Sequence, residues 1–134
     1  MLEAFFSQTE ACERLRSGPA GQYFDGFAEY LARSSYRKLG GRLRLHTAWH
    51  FTSWAQGCGI PITALDEVAL ERFQHHLSSC RCVGSNGGRG IRDARAGSRL
   101  FLRFLGVLRV VTIIDSAFFK IIDVIVASET ENNC

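Results

Sequence analysis

With 134 residues the chain is long enough to bury about two-thirds of its unfolded surface in one domain. Its 46% hydrophobic and 22% charged composition excludes the polar, highly charged class of disordered chains. The net charge of +3 hides a partition: residues 33 to 109 carry thirteen basic side chains against Asp66, Glu67, Glu71 and Asp93, a local balance of +9, while residues 1 to 32 and 110 to 134 come to −3 each.

Prolines are confined to Pro19 and Pro61 and strand-like alternation is scarce, so the expected class is all-α. Residues 1 to 21 read as a leader arm: a short mixed segment, Leu2 to Arg16, then the breaker Gly18-Pro19-Ala20-Gly21. From Gln22 to Arg33, apolar Tyr23, Phe24, Phe27, Tyr30 and Leu31 fall at amphipathic-helix spacing. A longer helix is predicted from about Leu39 to Gln56, with Leu39, Leu43, His46, His50 and Trp54 forming the core face and Phe51 flanking it. Gly57-Cys58-Gly59-Ile60-Pro61 stops it. The next helix starts at Leu65-Asp66-Glu67, capped by Thr63 or Asp66, and buries Val68, Leu70, Phe73 and Leu77 before fading at Ser78-Ser79.

After a glycine-rich connector, Cys80 to Gly90, comes the stretch Ile91 to Val111, IRDARAGSRLFLRFLGVLRVV. At 100° per residue Arg92, Arg95, Arg99 and Arg103 share an arc of about 80°. Gly97, Phe101, Phe104, Leu105 and Leu108 lie opposite. Asp93 alone interrupts the basic stripe, so these arginines lack the acidic i,i+4 partners of a merely solubilising face. Residues 112 to 134 continue a helical pattern, with Val110, Ile113, Ile114, Ala117, Phe118, Ile121, Ile122 and Ile125 on one side, although the β-branched content also suits a strand. Asp115, Lys120 and Asp123 interrupt that run, which argues against a membrane span.

Fourteen of the sixteen basic residues are arginine, whose planar fork suits phosphate and guanine edges. Arg37 and Lys38 precede the second basic helix, and Arg42 and Arg44 sit off its apolar face, so two helices some fifty residues apart present cations. Arg81 and Arg89 add mobile-loop candidates for backbone contact. The Gly84 to Gly90 loop lacks the lysine and Ser/Thr of a phosphate-binding loop. His46 and His50 have zinc-ligand spacing, with His75, His76, Cys80 and Cys82 downstream. Cys80-Arg81-Cys82, however, has one residue between its thiols where zinc motifs have two to four, so the sequence favours satisfied histidines and no metal or cofactor. Nothing local marks a cysteine as an activated nucleophile. Five cysteines, an odd number, and an N-terminus without a cleavable signal peptide fit a reduced, cytoplasmic setting.

The order Tyr30-Leu31, Ser35-Tyr36, a helix ending Phe51-x-x-Trp54, Gly59-Ile60-Pro61, Leu65-Asp66-Glu67, Val68 to Leu77, a basic loop and Ala94-Arg95-Ala96-Gly97 to Val111 resembles the N-terminal SAM-like, core-binding domain of tyrosine recombinases, the phage-integrase family. The Cys80-Arg81-Cys82 pair is similar to a subgroup associated with mobile elements. Over residues 22 to 111 the resemblance implies a small orthogonal four-helix bundle whose second and fourth helices face double-stranded DNA, followed here by a helical tail. On this chain those helices carry Arg37, Lys38, Arg42 and Arg44, and Arg92, Arg95, Arg99 and Arg103. The first helix is implied to contact other recombinase protomers. The family's catalytic Arg…Lys…His-x-x-Arg…Tyr series has no counterpart in residues 1 to 134, so the expectation is a non-catalytic, truncated-recombinase module. It would be bacterial and nucleoid-associated, without a small-molecule substrate and without a membrane role. The rival expectation is a helical protein-interaction module that pairs with a recombinase subunit or an acidic partner.

Overall fold

The computed structural model describes residues 1 to 82 and 91 to 132, with side chains described over 1 to 82 and 92 to 125. Every element among them is helical: α1 (Thr9–Ser17), α2 (Gly21–Arg33), α3 (Lys38–Gly57), α4 (Glu67–Leu77) and α5 (Ile91–Asn132), with single 3-10 turns at Leu2–Ala4 and Ile62–Ala64. The chain is thus all-α. It divides into two compact units, Met1–Leu102 and Arg103–Cys134.

In the first unit α2 is the central element. It packs against α1, α3 and the first 3-10 turn, and α3 in turn packs against α4. The amphipathic spacing of α2 has the predicted consequence: Phe24, Phe27, Ala28 and Leu31 are fully buried. Phe101 of α5 stacks on Phe24 at 5.9 Å between ring centroids and meets Phe27 edge-on at 5.1 Å, joining the start of α5 to the same core. At the other end Phe51 and Phe73, 5.0 Å apart, join α3 to α4. Asp66 is the α4 cap, its Oδ1 accepting the Ala69 N–H at 2.9 Å.

Two predicted faces need correction. The buried side of α3 is Gly41, Leu45, Ala48, Phe51, Thr52 and Ala55, while Leu39 is 68% exposed and Leu43 38% exposed. The small residues mark the true contact face, because a helix that packs closely presents glycine and alanine to its neighbours. A Cβ on Gly41 would overlap the ring of Phe5. On α4 the buried set is Ala69, Leu70 and Phe73, with Val68 exposed.

Residues 1 to 21 do not hang as an arm. Leu2, Phe5, Phe6, Cys12 and Leu15 are buried, and the segment is tied to α2 through Asp25. The Asp25 carboxylate accepts from Arg16 Nε at 3.0 Å and Nη2 at 2.8 Å, from the Leu2 N–H at 3.2 Å and from the Met1 amino group at 3.1 Å. Arg16 also pairs with Glu3 at 2.7 Å. The Arg16 guanidinium is the main reason the Asp25 carboxyl lies well below the usual carboxylate range.

The second unit is the continuation of α5 from Arg103. It is helical beyond Val111, which settles the strand alternative, and from Val110 to Ile125 its residues are exposed on every side. No described helix is long and apolar enough to cross a membrane.

Candidate nucleic-acid interface

The predicted basic residues of the first unit lie on α3, at its N-terminus and on the start of α5. Arg37, in an extended conformation, is the N-cap residue of α3, its carbonyl accepting the Gly41 N–H at 2.8 Å, and Lys38 opens the helix; both are exposed. Arg42 is exposed one turn on. Arg44 is half-buried, with its guanidinium carbon 5.7 Å from the centre of the Tyr36 ring. On α5 Arg92 and Arg95 are exposed.

The two helices approach closely at Gly97. A Cβ there would stand 3.0 Å from the Thr47 Cβ and 3.3 Å from the Arg44 Cδ, so glycine permits a close approach between α5 and α3. The stem of Arg44 therefore runs beside the helix that carries Arg92 and Arg95. Among the described residues, Arg37, Lys38, Arg42, Arg44, Arg92 and Arg95 have no carboxylate within ion-pair distance, whereas Arg16, Arg33 and Arg99 do.

Arg99 stands apart from its stripe. Its Nη2 reaches Glu67 Oε2 of α4 at 3.5 Å, and its Nε is buried with no acceptor among the described residues. The stripe pattern could not reveal this, because Glu67 is supplied by another helix. Arg103 is exposed and belongs to the second unit. Arg89 lies outside the described residues.

A second constellation appears away from these cations. His50, His76, Cys80 and Cys82 converge, their ligand-capable atoms all within 4.8 Å of one another. His46 is not among them: it lies edge-on to Phe6 at 5.4 Å. Desolvation pulls the His46 imidazole below its ordinary value, and the charges of Arg14 and Arg42 add to the effect. His50 is lowered as well, first by burial and then by His76. The Cys82 thiol is raised, chiefly by its hydrogen bond with Cys80 and then by burial.

Comparison with family models, curated proteins and solved structures gives no significant match to this chain.

Proposed function

We propose that the first unit is a non-catalytic module that binds duplex DNA, gripping the phosphate backbone with α3 and α5 in the manner of a tyrosine-recombinase core-binding domain. The observation that carries this reading is that α3 and α5, which approach closely at Gly97, each bear cations with no carboxylate within ion-pair distance among the described residues. Six of them, Arg37, Lys38, Arg42, Arg44, Arg92 and Arg95, face no carboxylate within the described residues, and a cluster of like charges without internal partners is stabilised by an external polyanion. Arginine favours phosphate because its fork donates two parallel hydrogen bonds. Arg99 is assigned a structural share through Glu67. Arg103 and Arg89 extend the proposed set from the stripe and loop patterns. A nucleoid-associated location follows from the same reading.

The test is a salt titration of duplex binding. If about four to six phosphates are neutralised, log K falls against log salt with a slope of about −4 to −5. Changing Arg92 and Arg95 together to alanine reduces that slope by about 2, whereas Arg99→Ala changes stability more than slope. Binding that is indifferent to salt overturns the proposal.

The exposed face of the second unit favours a second reading, a helical surface that pairs with another protein such as a recombinase protomer. Phe118 is 59% exposed and Phe119 65%, and Ile121 and Ile125 are similarly bare. Contiguous apolar surface of this kind marks interaction sites. Sedimentation of the chain with and without residues 112 to 134 tests it: loss of self-association on deletion, with DNA affinity kept, assigns assembly to the second unit.

A further inference from the structure

We propose that His50, His76, Cys80 and Cys82 form a closed tetrahedral zinc(II) site that ties α3, α4 and the segment following α4 to one another. The four residues come from three places in the first unit: His50 from the middle of α3, His76 from the last turn of α4, and both thiols from the residues after it. Twenty-five residues separate the two histidines in the chain, so local spacing conceals the set and only the packing of α4 against α3 assembles it.

The distances suit the metal. Zinc–sulfur and zinc–nitrogen bonds of about 2.3 and 2.05 Å at tetrahedral angles place a sulfur and a nitrogen about 3.5 Å apart. Cys80 Sγ lies 3.5 Å from His50 Nε2, and Cys82 Sγ lies 3.3 Å from His76 Nε2. Two edges of the tetrahedron are thus formed, and all four ligand atoms lie within 4.8 Å of one another. Two thiols and two imidazoles are donors that select zinc over magnesium or calcium.

Charge and packing point the same way. Hydrogen bonds join these groups one to another, thiol to imidazole and Cys82 to Cys80, whereas a dication engages all four lone pairs at once and stabilises both thiolates. The surroundings are apolar and aromatic. Phe73 meets His50 edge-on at 5.1 Å and stacks by His76 at 5.9 Å, and Trp54 lies 6.0 Å from His76. Such walls orient the imidazoles. Four protein ligands leave no open position, so the site is structural and supplies no Lewis-acid chemistry. It also fixes the backbone on both sides of Arg81, which sits between two ligands. The inference is independent of the DNA-binding reading, since its tests measure metal alone.

Reduced full-length protein, stripped of metal by chelation, is titrated with cobalt(II). The expected result is intense tetrahedral d–d absorption with a thiolate-to-cobalt charge-transfer band, saturating at one equivalent and abolished by zinc. Zinc added to the stripped protein raises Tm by about 10 °C, the shift expected of a ligand at roughly a thousandfold its Kd. The double variant Cys80→Ser, Cys82→Ser loses the charge-transfer band, while His75→Ala and Cys58→Ser keep it. A weak octahedral spectrum, saturation at half an equivalent, no Tm response to zinc, or an undiminished band in the double variant each overturns the proposal. Should the double variant fail to fold, the spectrum and stoichiometry of the unmodified protein still decide.

Discussion

The two units of the chain use the same amino acids to opposite ends. In Met1–Leu102 phenylalanines are spaced so that several helices can surround them: Phe24, Phe27, Phe51, Phe73 and Phe101 are all fully buried. In Arg103–Cys134 Phe118 and Phe119 lie on a single helix with comparable apolar content and remain exposed, as do Ile113, Ile114, Ile121 and Ile125. Only Phe104 and Leu105, at the beginning of that unit, are buried among its described residues. The difference teaches that hydrophobic periodicity specifies a helix but not its burial. A core requires other elements to close around the apolar stripe, and folding the first 21 residues into unit one supplies part of that closure.

The comparison breaks most directly under matched substitutions. Phe51→Ala removes a ring packed against Phe73 and Trp54 and should cost about 3 to 5 kcal/mol, a fall in Tm of roughly 10 to 20 °C. Phe118→Ala should stay within about 0.5 kcal/mol. Thermal denaturation followed by circular dichroism reads both. A loss of about 2 kcal/mol or more at Phe118, with a Tm that depends on protein concentration, would show that the second unit's apolar face is covered in an assembly.

A smaller effect sharpens the role of the N-terminal residues. Gly41→Ala improves intrinsic helix propensity by about 1 kcal/mol, and on an exposed helix it would stabilise. Here the added methyl overlaps Phe5, so the net change should be a loss of about 1 to 2 kcal/mol. Adding Phe5→Leu should recover part of it. A stabilised Gly41→Ala protein would mean that residues 1 to 21 do not pack against α3 in solution.

Legibility followed the same division. The sequence disclosed α2, Asp66 as one of two candidate caps, the Gly57 stop and, over a strand alternative, the helical continuation beyond Val111, because each depends on neighbours within a turn or two. It misplaced the face of α3, since Leu39 and Leu43 outweigh Gly41, Ala48 and Ala55 in hydrophobicity although the small residues make the contact. Arg92 and Arg95 were legible as cations without acidic partners on their own helix and Arg42 as a basic residue off an apolar face, but the Arg99–Glu67 pair spans 32 residues and was not. His50, His76, Cys80 and Cys82 were legible as candidate ligands but not as a set: His50 comes from α3 and the other three from α4 and the segment after it, and Cys-x-Cys alone is not a zinc motif.

The smallest expected effect concerns acid, and it belongs to the first unit. Asp25 is held below its ordinary value of 3.8, mainly by Arg16, and Glu3 is lowered to about 2, first by a hydrogen bond from its own backbone and then by Arg16. A carboxyl whose folded pKa is depressed contributes stability that is fully present above the unfolded pKa and disappears as pH falls through the folded one. Both groups are largely exposed, so solvent screening keeps the contribution small. Asp25→Asn removes the Asp25 share and leaves the Arg16–Glu3 pair. Its Tm should therefore fall below that of the unmodified protein by a few degrees at pH 7, and the gap should narrow from about pH 4 downward, as Asp25 of the unfolded chain takes up a proton while the folded carboxylate is still charged. A gap that stays constant down to pH 2 would mean that Asp25 stabilises the fold by a contact independent of its charge.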